Sequence, residues 1–384
     1  MDLIVLQDLP NQLQSEIIYK RLNEFNLQYK PTYLIKKLNN LYKNTLICLE
    51  PIFKYNYTGK EYTKSTHSQQ INTIIWQFGH IILFYLNSVI RLLKNQDILI
   101  KNKEYIIKII DNFKKNIDIK DDNINYYNYF DSFISSSNIR YSLLHKLDIK
   151  YLRNAYTLVV ELLNIYLESQ IEKSNNIKSI LLNPIDSYLI MLGILHNDMH
   201  YEAIIFTQHF FNYPIPNNFS IKENSLINNS IDNSIKILKK PNTNKIQDLL
   251  NIKFIDINGG NFIQGKGNLS FKNKEFIFDN EKPSFKLNID DFKISKYPIT
   301  EGQFLQFIEN GGYKKKELWC LESWKWKLKY DINYPEGWFY EEELDTDNSN
   351  LKIKFIIKKK NWFKTIWRNK TEITASSKKP ICNI

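Results

Sequence analysis

The chain has 384 residues, 43% of them hydrophobic, and its 52 Lys and Arg against 41 Asp and Glu give a formal net charge of +11. That apolar content supports a buried core and excludes a mainly disordered chain, and the length suits about two domains. The positive charge does not read as a nucleic-acid or anionic-membrane surface, because the lysines are scattered beside Asn and Ile and form no arginine-rich helix face. Three widely separated cysteines, Cys48, Cys320 and Cys382, support neither a disulfide framework nor a zinc ribbon.

Residues 1–30 form an N-terminal segment. Its start, "MDLIVLQDLPNQ", has an acid at Asp2 and only a short apolar run, which is not a secretory signal; with the cysteine pattern, the expectation is a cytoplasmic protein. Residues 31–213 show helical periodicity with few glycines. Four long segments stand out: "PTYLIKKLNNLYKNTLICLEPIF", "INTIIWQFGHIILFYLNSVIRLL", "IKYLRNAYTLVVELLNIYLESQIEK" and "NPIDSYLIMLGILHNDMHYEAIIFTQHFF". They predict a four-helix bundle, with the long stretch between the second and third read as a partly helical crossover. The second segment is interrupted by Gln77, Gly79, His80 and Asn87 and lacks the ~18 uninterrupted apolar residues of a membrane span, so it reads as a buried helix. Asn183 is the expected N-cap of the fourth helix, with Pro184 at its first position.

Residues 214–250 are rich in Asn, Ser, Lys and Pro without sustained apolar period, and read as a linker. Residues 251–384 then change character. "KFIDINGGNFIQGKG" alternates apolar and polar residues about Asn258-Gly259-Gly260, a hairpin signal, and "SFKLNIDDFKISKYPIT" reads as another strand. Thr300 and Gln303 predict a capping box for a short helix that Asn310-Gly311-Gly312 stops. The second domain is therefore expected to be mixed α and β.

Two of the six histidines fall in "LHNDMHYEAIIF". At ~100° per residue, Ile185, Leu189, Leu192, His196, Met199 and Ala203 share one face, with His200 beside them one turn from His196. Two neutral imidazoles at i and i+4 can reach one cation at about 2 Å each, and a tight site needs a third ligand from another helix. His80 is the candidate, mid-helix with Trp76 and Phe84 one turn to either side. On pattern alone two readings stay open: a metal site, or core histidines hydrogen-bonded to carbonyls or carboxylates. Glu202 lies roughly 120° around the helix from His196, where it suits a supporting or salt-bridging role better than that of a ligand.

"WQFGHIILF" resembles the W-x-x-G-H signature of DinB-like bundles, and "HNDMHYE" resembles their HxxxHxE motif. The stretch from "INGGNFIQGKG" through "ELWCLESWKWK" resembles the start of a formylglycine-generating-enzyme-like domain, a C-type-lectin-like fold. That domain order is the order found in the sulfoxide synthases of ergothioneine and ovothiol biosynthesis. The fold implied is an α+β multidomain chain: a DinB-like four-helix bundle, then the N-terminal part of a formylglycine-generating-enzyme-like domain. The resemblance implies that His80, His196 and His200 hold a non-haem Fe(II) with positions open for O2 and a thiolate. The reaction implied is oxidative C–S bond formation between a cysteine-containing thiol and the imidazole of histidine or N-trimethylhistidine, giving a sulfoxide. It further implies carboxylate-binding cations in "SSNIRYSLLHKL", where this chain offers Arg140 and Lys146; Lys146 stands where a second arginine is expected and cannot make a planar bidentate pair. Asp279, Glu281, Trp324 and Trp326 are expected to be structural.

"KKPICNI" resembles the beginning of a family segment, and the resemblance places the family's catalytic tyrosine beyond Ile384, so no catalytic residue is assigned within the chain. The expectation is an incomplete chain that can hold a metal but turns over poorly; the alternative is a short protein in its own right. Two other functions remain in view: a DinB-like metal-dependent thiol transferase, and a catalytically inactive metal-binding or interaction remnant.

Overall fold

Among the described residues of 31–210 the apolar period is realised as helices. The computed structural model describes residues 27–55, 71–93, 96–116, 129–133, 135–136, 140, 148–173, 180–211, 213–214, 252–266, 276–347, 354–366, 369–374 and 377–382. Helix α1 is Pro31–Tyr55. Helix α2 is Ile74–Phe84, opened by Thr73, whose side chain accepts from the Trp76 amide at 3.3 Å. It runs on into a single π turn, Tyr85–Val89, and a 3-10 turn, Ile90–Leu92. Ile74–Leu92 is long and apolar enough to cross a membrane by length and composition, yet most of it is buried inside the protein, Phe78, Ile81 and Ile82 completely.

Helices α3 (Gln96–Lys101) and α4 (Lys103–Asn116) follow. Helix α5 is Ile149–Glu172, capped by the Asp148 carboxylate on the Lys150 amide at 3.0 Å. Helix α6, Pro184–Phe210, begins as expected: Asn183 Oδ1 accepts from the Asp186 amide at 3.0 Å. Helix α5 is the hub, packing against α1, α2, α3 and α4 and burying Leu152, Ala155, Tyr156, Val159, Leu163 and Tyr166. Helix α4 lies in the stretch the sequence suggests is a crossover, and it packs along α5 as fully as α1 does. Its sequence, "KEYIIKIIDNFKKN", hides this role because only a narrow stripe is apolar. Ile109 and Phe113 nevertheless bury their side chains entirely, each stabilising by about 1.5–3 kcal/mol.

Strand β1 (Phe254–Ile257) pairs antiparallel with β4 (Phe292–Ser295), and β2 (Gly260–Gln264) pairs with β3 (Phe285–Ile289). The hairpin expected about Asn258-Gly259-Gly260 is therefore absent: β1 and β2 do not pair with each other. Those residues instead form a joint where the chain passes from one two-stranded ribbon to the next. The Gly259 amide donates to Asp291 Oδ1 at 2.6 Å, and a Cβ there would lie 2.3 Å from the Ile289 carbonyl oxygen. Glycine is needed for that close backbone approach across the ladder, which an Asn-Gly turn signal cannot be told apart from in sequence. The single strand expected over "SFKLNIDDFKISKYPIT" is likewise broken in two at Asp290-Asp291.

Helix α7 (Glu301–Glu309) has the expected capping box: the Gln303 amide donates to Thr300 Oγ1 at 3.3 Å and the Thr300 amide to Gln303 Oε1 at 2.9 Å. It ends at Asn310, followed by Gly311 with φ +78°, the left-handed conformation glycine adopts freely. Helix α8 is Leu321–Lys329. Strands β5 (Trp338–Asp347), β6 (Lys354–Ile366) and β7 (Asn369–Ile373) make an antiparallel sheet in that order. Leu305, Trp338, Trp362 and Ile373 form a small core there. Glu301 and Lys364, both largely buried, form an ion pair beside it.

Among the described residues, those up to Gln208 together with 263–266 and 276–287 form one compact unit, and the others a second. Within the first unit the 276–287 segment returns to α6: Phe276 stacks on Tyr188 at 4.9 Å, with Lys282 Nζ 5.6 Å from the centre of the same ring. Asp279 and Glu281 brace that segment, accepting from the Asn280 and Phe278 amides at 3.0 and 2.8 Å.

Candidate metal centre

Helix α2 brings one histidine and α6 brings two. The ring centroids of His196 and His200 lie 4.7 Å apart, and those of His80 lie 5.1 and 5.0 Å from them. All three rings are half-buried, and each offers a nitrogen within 4.8 Å of the other two.

The local sequence around His80 explains its placement. A Cβ on Gly79 would lie 2.1 to 2.5 Å from the Phe130 ring, so glycine is what lets Phe130 lie against α2. That approach brings the Phe130 carbonyl 2.8 Å from His80 Nδ1. A carbonyl only accepts, so Nδ1 carries the proton and Nε2 keeps its lone pair. Trp76, one turn earlier, stacks on His80 at 4.9 Å and 9°, and its Nε1 donates to the Tyr129 carbonyl at 2.6 Å. Two consecutive carbonyls thus hold two consecutive turns of α2, and the W-x-x-G-H spacing has a mechanical meaning.

Gly193 plays the corresponding part on α6. A Cβ there would lie 2.6 Å from the Tyr85 ring and 2.8 Å from Val89 Cγ2, so glycine lets the π turn after α2 close on α6. His196 then stacks on Phe84 at 3.7 Å and 12°. Its Nδ1 is buried and has no hydrogen-bond partner among the described residues. His200 Nδ1 faces Gln77 Oε1 at 3.5 Å, the outer limit of a hydrogen bond.

Burial lowers the pKa of all three histidines. His196 falls to about 2, with His200 and His80 adding to the effect, and His200 falls to about 4, with His80 adding. For His80 burial outweighs the opposing hydrogen bond to Phe130, and the Arg140 charge acts in the same direction as burial. The three rings are therefore neutral across the physiological range, offering lone pairs with no proton to displace. Leaving a buried polar atom such as His196 Nδ1 unmet costs about 1–3 kcal/mol. Neutral imidazoles from two helices, converging with one nitrogen unmet, fit the requirements of a cation better than those of a closed core.

Arg140 is brought next to this cluster but is held by the protein. Its Nε donates to Ser135 O and Oγ at 3.1 and 3.0 Å, Nη1 to Asn72 Oδ1 at 2.6 Å and Nη2 to Ser132 O at 3.0 Å. Its guanidinium carbon is 3.9 Å from the Trp76 ring centre. Three of its five N–H groups are engaged, leaving one on each terminal nitrogen for any further acceptor. Lys146 lies outside the described residues. Glu202 is exposed.

The helical wheel needs one correction. Met199, expected to face inward, is 57% exposed, and Asn197 is fully buried, donating to the Tyr156 hydroxyl at 2.5 Å. The packed stripe of α6 runs through Ile190, Gly193, Asn197, Ile204 and Gln208, with His196 and His200 on its flank. Sequence reasoning took Gln77 only as an interruption of an apolar run, and it had no signal for the Tyr129 and Phe130 carbonyls, since backbone groups carry no side-chain signature.

Residues 240–384 match the family described as "Sulfatase-modifying factor enzyme 1-like domain", so this part of the chain carries such a domain. The chain is also similar to proteins named hercynine oxygenase. The one from Mycolicibacterium thermoresistibile is 27% identical over 63 residues, that from Mycobacterium tuberculosis 30% over 60, and that from Mycolicibacterium smegmatis 29% over 80. These alignments cover 16%, 16% and 21% of this chain and 14%, 14% and 18% of the respective relatives. The relatives' name, an oxygenase, is in keeping with the resemblance to sulfoxide synthases read from the motifs.

Proposed function

We propose, for a chain that carries a sulfatase-modifying factor enzyme 1-like domain and is similar to hercynine oxygenases, that His80, His196 and His200 hold a non-haem Fe(II) and that the protein is a sulfoxide synthase. It would join a cysteine-containing thiol to the imidazole of histidine or N-trimethylhistidine at the expense of O2. One observation carries this reading: three neutral imidazoles converge from α2 and α6 with their nitrogens within 4.8 Å, and His196 Nδ1 is unmet. The donor set alone suits Fe(II), Co(II) or Zn(II) alike. The choice of iron rests on the motif resemblance to sulfoxide synthases, and that of an oxygen-dependent reaction on the relatives' name, hercynine oxygenase.

A ferrous ion held by His80, His196 and His200 would supply redox chemistry toward O2, whose four electrons come from the thiol and the imidazole C–H as the C–S and S–O bonds form and one water is released. The chain's own residues do the rest. Neutral ligands leave the cation's charge uncompensated, which favours an anionic thiol substrate and the loss of its proton at the site. Trp76 and Phe84 cover the faces of His80 and His196 and keep water from them. Arg140 can offer a substrate carboxylate only the one remaining N–H on each terminal nitrogen, and Lys146 would supply a second cation.

The test is direct. Purified chain is titrated with Fe(II) or Co(II) without oxygen, then given O2, histidine or its trimethyl derivative, and cysteine or γ-glutamylcysteine. Stoichiometric metal uptake is expected, with any oxygen consumption requiring both substrates and matched by a sulfoxide product by mass spectrometry, at the low turnover expected of this chain. Thiol transfer without oxygen consumption would replace this reading with the transferase one.

A further inference from the structure

Gln77 interrupts an otherwise apolar helix and is buried, so its amide must find partners. Its Nε2 donates to the Asn72 carbonyl at 2.9 Å and to Thr207 Oγ1 at 3.0 Å. The Thr207 proton itself goes to the Ala203 carbonyl at 2.8 Å, so the hydroxyl meets Gln77 with a lone pair. Turned over, the amide would set its oxygen against the Asn72 carbonyl oxygen. The orientation is therefore determined, and Oε1 is directed at His200 Nδ1, 3.5 Å away. Asn72 is itself held, its Oδ1 accepting from Arg140 Nη1 at 2.6 Å. A continuous chain of contacts thus runs from Arg140 through Asn72 and Gln77 to His200, while the Trp76 ring that Arg140 covers stacks on His80.

We infer that Gln77 is a positioning residue for the metal centre: its amide oxygen selects the His200 tautomer with the proton on Nδ1 and directs the Nε2 lone pair to the point shared with His80 and His196. This rests on the metal reading of the three histidines. Gln77 does for His200 what the Phe130 carbonyl does for His80, so two of the three ligands are oriented by acceptors and the third, His196, by stacking on Phe84.

Two measurements on the full chain test it. Imidazole 15N NMR of the metal-free wild type should show His200 protonated on Nδ1; protonation on Nε2 would overturn the inference, and no variant is needed. Co(II) titration of wild type and Gln77→Leu then reads affinity and the visible spectrum of the bound ion. Gln77→Leu should weaken binding by about 10–100-fold with a changed spectrum. Wild-type affinity and spectrum in Gln77→Leu would overturn it. A wild type that binds no Co(II) would sink the metal reading instead, and the tautomer measurement would still decide the role of Gln77.

Discussion

The α2–α6 pair and the ribbons β1–β4 have similar apolar content and opposite fates. In the helical unit Phe78, Ile81, Ile82 and Tyr85 are fully buried, and even polar Gln77 and Asn197 are enclosed. In the ribbons Phe254, Phe262, Ile263 and Ile294 remain more than half exposed. A helix among other helices can bury its whole circumference, whereas a two-stranded ribbon has two faces to cover, and here these four side chains stay more exposed than covered. The three histidines converge in the enclosed region, where burial keeps imidazoles neutral and neighbouring backbones approach closely enough to orient them. Pre-organisation here is a consequence of packing, and the ribbons lack the means to provide it.

The sharpest way to break that contrast is to remove ligands from the enclosed region. His196→Ala combined with His200→Ala should abolish stoichiometric Fe(II) or Co(II) binding by calorimetry while leaving the far-ultraviolet circular dichroism unchanged; retained metal would mean that the cluster is not the site. Next in size is the ion pair in the second unit. Lys364→Ala leaves Glu301 enclosed without its cation, and urea unfolding should show a loss of about 3–5 kcal/mol.

Gly79→Ala should cost about 1–3 kcal/mol from overpacking against Phe130. Because the Phe130 carbonyl orients His80, it should weaken Co(II) binding as well, whereas a purely structural glycine would alter stability alone. At the small end, Phe262→Ser in the ribbon should change stability by no more than about 0.5 kcal/mol, since a half-exposed side chain has little burial to lose. A loss comparable to that of Gly79→Ala would show that the ribbon is covered, and the contrast drawn above would fail.

Elements with a local cause were legible in the sequence. Asn183 and Pro184 start α6, Thr300 and Gln303 form a capping box, and Gly311 ends α7, because each of these devices acts within one helical turn. The helical assignment of the histidines was legible too, since i and i+4 on one helix must be neighbours, and the motif spacing pointed to His80 as the third. What depended on distant residues was not legible. Asn258-Gly259-Gly260 has the composition of a hairpin turn, but the glycine answers the Ile289 carbonyl, more than two dozen residues on. Met199 and Asn197 exchanged the roles their polarity suggests, because the Tyr156 hydroxyl meets the Asn197 amide inside the core. Gln77 looked like a flaw in an apolar run until Asn72, Thr207 and His200 surrounded it. Local hydrogen bonds and periodicity are written in adjacent residues, whereas the tautomer of a buried imidazole and the partner of a buried amide depend on which remote backbone groups the folded chain brings within 3 Å or so.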